Sequence, residues 1–268
     1  MARKKVRAKD LKKQRWATIV AAILALGMIV SLVGVYLGQA GSNRTALPEQ
    51  QQEPQPEDYL AFYEGEVERL EKHLDENEPT EPVLLELAEN YRYLVFIQQV
   101  FFEDQQVLAE SRENLAAVFE ELLEINPEQN EYRYELISLS MDMDSSHDQI
   151  NAQVEDLLDR LHEKPDPMVH LALINLLAPQ DEEGRYEEEI EWLRNHLEPL
   201  HQTESANNEE LFYYAVLIGE YYDQQDEAAD ILEQIIDQEP EDSSVYQDAT
   251  TYLSYLETES IPSGENID

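Results

Sequence analysis

Six histidines (His73, His147, His162, His170, His196 and His201) and 59 Asp/Glu are the side chains with which this 268-residue chain could do chemistry. Zinc held from one helix face needs two histidines at i and i+4, and no pair has that spacing; His196 and His201 fall one residue beyond it. Asp142, Asp144 and Asp148 in MDMDSSHD resemble a calcium loop. The glycine of its sharp turn and its closing bidentate Glu are both missing, so the stretch reads as a solvated turn that caps the next helix. Paired carboxylates can do acid/base work, but among 59 of them mere proximity carries no information, and runs such as EEEIE read as the wet faces of helices. No G-x-S-x-G, H-E-x-x-H, P-loop or G-x-G-x-x-G occurs, and eight glycines leave little to build a phosphate cradle. Cysteine is absent, which excludes disulfides, thiolate metal sites and iron-sulfur clusters. The sequence therefore points away from an enzyme and implies no metal and no cofactor.

What would position any functional residue is a chain divided by charge. Residues 1–15 carry eight basic side chains against Asp10 alone, and the remainder has 10 Lys/Arg against 58 Asp/Glu. A surface that acidic repels nucleic acid phosphate and anionic lipid headgroups, so it excludes DNA and RNA as partners of the C-terminal part.

Between these regions Trp16 to Gly38 is apolar except for Thr18 and Ser31. At about 1.5 Å per residue such a run covers the roughly 30 Å hydrocarbon core of a bilayer, and predicts a single-pass transmembrane anchor over residues 16–38. Gly38-Gln39-Ala40 also has the small-x-small form of a cleavage site, so processing of the anchor stays open. The basic residues 1–15 place the N-terminus in the cytoplasm and the C-terminal part outside the membrane. Gly34 and Gly38, with Gly27 and Ser31, would let two anchors pack closely into a homodimer, although glycine is common in such helices without that role. Residues 39–57, rich in Gln, Pro and Glu, read as a flexible linker.

Residues 58–257 have helical periodicity throughout, and 258–268 form a tail without it. Leu60, Tyr63, Val67, Leu70 and Leu74 make a first amphipathic helix that stops in DENEPTEP. Pro82 opens a hairpin whose helices carry Leu84 to Val95 and Leu115 to Leu123, turning near Phe102 to Gln105. A second hairpin carries Tyr132 to Leu139 and Ile150 to Leu161, with its turn at Met143 to Asp148; a third runs from Met168 through Tyr186 to Leu197. The fourth, LFYYAVLIGEYYDQQDEAADILEQIIDQEP from Leu211 to Pro240, turns at Asp223 to Asp226. It puts Ala228, Ile231, Leu232, Ile235 and Ile236 on one face. Pro127, Pro165, Pro199 and Pro240 each follow a second helix, where a missing N–H ends the hydrogen-bond ladder. Ser243 or Ser244 can cap a last helix with Val245, Ala249, Tyr252, Leu253 and Leu256 on its apolar face.

Gly184-x-Tyr186 in the third hairpin, and Ile218-Gly219-x-x-Tyr222 with Asp226-Glu227-Ala228 in the fourth, resemble a tetratricopeptide repeat. The resemblance covers residues 82–240. Glu189 stands where the family's second helix has Ala, the fourth turn is short and the first hairpin is long. The implied fold is all-α, a right-handed α-solenoid of about four TPR-like helix-turn-helix hairpins plus flanking helices, behind the N-terminal anchor. A solenoid of unlike helical hairpins is the structural alternative.

Family resemblance further implies a groove, lined by the first helix of each hairpin, that binds a peptide or helix of another protein. Its matching positions here are Glu89, Arg92 and Tyr93, then Tyr134 and Ser138, then Leu171 and Asn175, then Tyr213 and Glu220. Packing between helices is an equal explanation of the tyrosines, since an amphipathic ring serves both purposes. The acidic charge would steer a basic partner toward such a groove. The expected function is a membrane-anchored, extracytoplasmic interaction scaffold, of the layout found in proteins of export, envelope assembly or cell-wall processes. A self-associating structural scaffold of the cell envelope without a peptide groove, joined through the Leu60 to Leu74 helix and the Gly34/Gly38 face, is the alternative.

Overall fold

The computed structural model describes residues 55–102, 104–143, 145–178, 185–203 and 205–259, and the expected basic tail, anchor, most of the linker and C-terminal tail lie outside them. The described residues form ten α-helices and no strand: α1 (Pro56–Glu76), α2 (Glu81–Phe101), α3 (Gln105–Ile125), α4 (Asn130–Asp142), α5 (His147–Glu163), α6 (Pro167–Leu177), α7 (Arg185–Gln202), α8 (Asn208–Tyr221), α9 (Gln225–Gln238) and α10 (Ser244–Glu259). None of them is long and apolar enough to cross a membrane.

Most helix starts have a local cause. Pro56, Pro82 and Pro167 occupy first-turn positions of α1, α2 and α6, where a missing N–H costs nothing. Side chains satisfy first-turn donors elsewhere: Asp104 accepts from the N–H of Gln106 and Val107, Ser146 from Gln149, and Asp166 from Val169. Asn207 and Glu210 form a reciprocal capping box at α8. Ser243 accepts from Tyr246 N–H at 3.1 Å and opens α10. At the turn before α5 the capping oxygen is that of Ser146, and Asp148 lies inside the first helical turn.

Helix ends follow proline at three of four places: α3, α5 and α9 stop before Pro127, Pro165 and Pro240. Pro199 departs from the expectation, because α7 continues through it to Gln202. A proline so near the end removes one ladder bond only, and its carbonyl still accepts from both the N–H and the hydroxyl of Thr203. In the fourth hairpin the turn is Tyr222 to Gln224, with Asp223 at φ 61° in the left-handed region that Asp tolerates better than most residues.

The chain divides into two compact units at Lys164–Pro165. In the first, α1 to α5 each pack on the next helix in sequence. Val67 and Leu70 of α1, Leu84, Leu87, Ala88, Tyr91 and Leu94 of α2, and Leu115, Val118, Phe119 and Leu122 of α3 bury together, joined by Tyr132 and Leu139 of α4.

In the second unit α6 to α10 pack likewise, with α6 also against α8 and α8 also against α10. Its core joins Leu171 and Ile174 of α6 with Leu193 and Leu197 of α7. On α8 it takes in Leu211, Phe212 and the unbroken run from Tyr214 to Ile218, so this helix is buried on most of its circumference. Ala228, Ile231, Leu232 and Ile235 of α9 cover one side of it, and Ala249, Tyr252 and Leu256 of α10 another. Burying such faces, at about 25 cal/mol per Å² of apolar surface, is what holds helices too short to persist alone.

Candidate interaction surface

The positions expected to line a groove fall into two groups, one in each unit. In the first unit Glu89, Arg92 and Tyr93 stand on α2, and Tyr134 and Ser138 on α4. An ion pair joins these helices, Arg92 to Glu135 at 2.7 Å, and the Arg92 guanidinium also lies 5.2 Å from the centre of the Phe119 ring. Tyr93 stacks on Tyr63 of α1 with ring centroids 4.6 Å apart. Burial pushes the Tyr63 phenol up to about 12, helped by the neighbouring Tyr93 and Glu89. It likewise pushes Tyr134 up to about 12, with Glu135 adding to the shift and Arg92 opposing it. The Glu135 carboxyl is raised by burial, against the pull of Arg92. This surface thus sets the Arg92 guanidinium beside the Glu135 carboxylate, with Glu89 and half-buried rings around it.

In the second unit the first helices of successive hairpins are tied by phenol hydrogen bonds. Tyr221 of α8 donates to Asn175 of α6 at 2.6 Å, and Tyr252 of α10 donates to Glu220 of α8 at 2.9 Å. Tyr213 packs against the core at its edge. Leu171 is 5% exposed and belongs to the core, so it offers no surface to a ligand; α6 turns this position inward, where Leu is most stable. The tyrosines accordingly serve packing, and Tyr93, Tyr134 and Tyr213 each retain some exposed surface.

Glu189, where the repeat family has Ala, lies 3.0 Å from Nε2 of the fully buried His170. The ring of His170 also packs 5.0 Å from that of Trp192. The departure from the repeat pattern is therefore a polar partner for a buried ring.

No known protein family and no curated protein matches the chain. Its helical-repeat character rests on packing: within each unit every helix lies on its neighbour in sequence.

Sequence reading missed Gln98, which is 4% exposed on α2. The available signal was its spacing from Tyr91 and Leu94, which puts an amide on the inward face of an otherwise apolar stripe.

Proposed function

We propose that the chain is a membrane-anchored scaffold of TPR-like hairpins in an α-solenoid, holding another polypeptide outside the membrane. The observation that carries this reading is the lateral pairing of first helices, α2 with α4 through Arg92–Glu135 and α6 with α8 through Asn175–Tyr221. Such pairing is how stacked hairpins present a continuous ligand surface. The Trp16 to Gly38 run supports the anchor, and the acidic surface supports a basic peptide or helix as the partner. The test is crosslinking in the native membrane with identification of the attached chains. The Tyr93→Ala, Tyr134→Ala and Tyr213→Ala triple variant, if folded, loses those chains; an unchanged set of crosslinks refutes the groove.

Self-association is a second reading with its own support. Tyr59 and Phe62 of α1, and Phe96, Val100 and Phe101 of α2, are exposed apolar side chains on adjacent helices. A full-length protein that stays strictly monomeric in detergent at all concentrations excludes it.

A further inference from the structure

A cleft of about 240 Å³ opens where α1, α2 and α3 of the first unit meet. Glu64, Glu68 and Glu71 of α1 and Glu110 of α3 line it, and no lining residue is basic. Arg112, which follows in α3, directs its guanidinium to Asp142 and Gln99 instead. Glu71 already accepts a hydrogen bond from Tyr91, whereas Glu64, Glu68 and Glu110 are exposed to solvent.

Gln98 also lines the cleft, and its buried Oε1 has no hydrogen-bond partner. A buried acceptor without a donor is unfavourable, and a donor entering the cleft would satisfy it once the amide turns toward it. The unmet polar atom here is an acceptor and the charge requirement is for a cation, while Ser111 and Asn114 line the cleft as well.

We propose that this cleft binds the side chain of an arginine from a partner polypeptide. Its volume suits an extended side chain, being several times the roughly 30 Å³ share of one water. Val67, Leu94 and Val107 supply an apolar wall for the methylene stem. A planar guanidinium carries five donors, enough to reach the Gln98 oxygen and carboxylates of the rim together, and sheds water more easily than an ammonium. A bare metal ion fits less well, because no three of the cleft's carboxylates bring oxygens within 4.8 Å of one another. The site uses the α2 face bearing Tyr91, Leu94 and Gln98, opposite the face of Glu89, Arg92 and Tyr93, so it stands or falls separately from the groove.

The test is an NMR titration of the full chain in detergent micelles, following the side-chain amides of Gln98 and of Asn114, which also lines the cleft and remains in every variant. The probes are acetylated, amidated tripeptides with Arg, Lys or the neutral isostere citrulline between two alanines. The Arg peptide is expected to shift those resonances saturably and to bind at least about tenfold tighter than the other two, the factor that about 1.4 kcal/mol represents. Gln98→Met, which keeps length and packing but no oxygen, and the surface pair Glu68→Gln with Glu110→Gln should each weaken binding several-fold. Glu241→Gln with Asp242→Asn, remote in sequence and equally acidic, should not. Equal affinity for the Lys peptide, equal weakening by the remote pair, or no weakening by the cleft pair overturns the proposal. A Gln98 resonance that moves when the protein alone is concentrated also overturns it, by showing a second copy in the cleft.

Discussion

The hydroxyl of Tyr252 lies 2.7 Å from where a Cβ on Gly219 would stand. A Cβ there would push the hydroxyl aside, so glycine at this position of α8 leaves room for Tyr252 to reach Glu220. Ala normally stabilises a helix interior over Gly by about 1 kcal/mol. Here Gly219→Ala is expected to destabilise by about 1–2 kcal/mol, since the ring must shift and lose its hydrogen bond. In a Tyr252→Phe background the same change should become neutral or stabilising. Urea unfolding of the four proteins checks the reversal, and an equal effect in both backgrounds refutes it.

His170 and Glu189 give a second expectation. Replacing Glu189 with Ala, the residue typical of the repeat, removes a hydrogen-bond partner from a fully buried ring. The expected loss is about 1–3 kcal/mol, with Glu189→Gln losing less. Thermal unfolding would read it; a more stable Ala variant would show that the repeat consensus outweighs the pair.

Alkaline pH should weaken the fold. Tyr63, Tyr132 and Tyr134 hold their protons in the folded chain up to about 12, through burial first and then the nearby carboxylates or rings. Unfolded phenols ionise near about 10, so between about pH 10 and about pH 12 the unfolded chain has lost protons that the folded one keeps. Stability is then intact below the lower value and declines as pH rises through the higher. The urea midpoint should fall across this range, and Tyr134→Phe should make the fall shallower. A flat midpoint rules this out.

Arg92 and Glu135 are both partly exposed, so their pair is weak despite the 2.7 Å contact. A double-mutant cycle with Arg92→Ala and Glu135→Gln should give a coupling of about 0.5–1 kcal/mol, smaller at high salt. Arg92→Lys should not restore it fully, because an ammonium cannot pair and lie flat over Phe119 as a guanidinium does. Coupling that is unchanged in about 1 M salt would mean that the contact is not electrostatic.

Hairpins were readable from sequence because their signals are local. Ala228, Ile231, Leu232 and Ile235 repeat at helical spacing, and Pro127, Pro165 and Pro240 stand next to the ends they predict. Pro199 misleads because proline stops a helix through a lost bond, and one turn from the end that loss is slight. Leu171 is harder still, since on a helix apolar nearly all round the inward side depends on neighbours distant in the chain, whereas Gln98 is overlooked because its type, not its spacing, reads as surface. The His170–Glu189 and Tyr252–Glu220 contacts join separate helices, and no spacing within one helix announces them.

α10 closes the second unit, and it is also the last described helix to leave the ribosome. Until Ala249, Tyr252 and Leu256 have emerged, the faces of α8 and α9 that they cover remain wet, with Gly219 at the gap. The first unit holds no such dependence on late residues, and can finish its core while synthesis continues. Nascent chains stalled before residue 244 should therefore present a finished first unit and an open, chaperone-visible second one, a timing imposed by the place of α10 at the end of its unit.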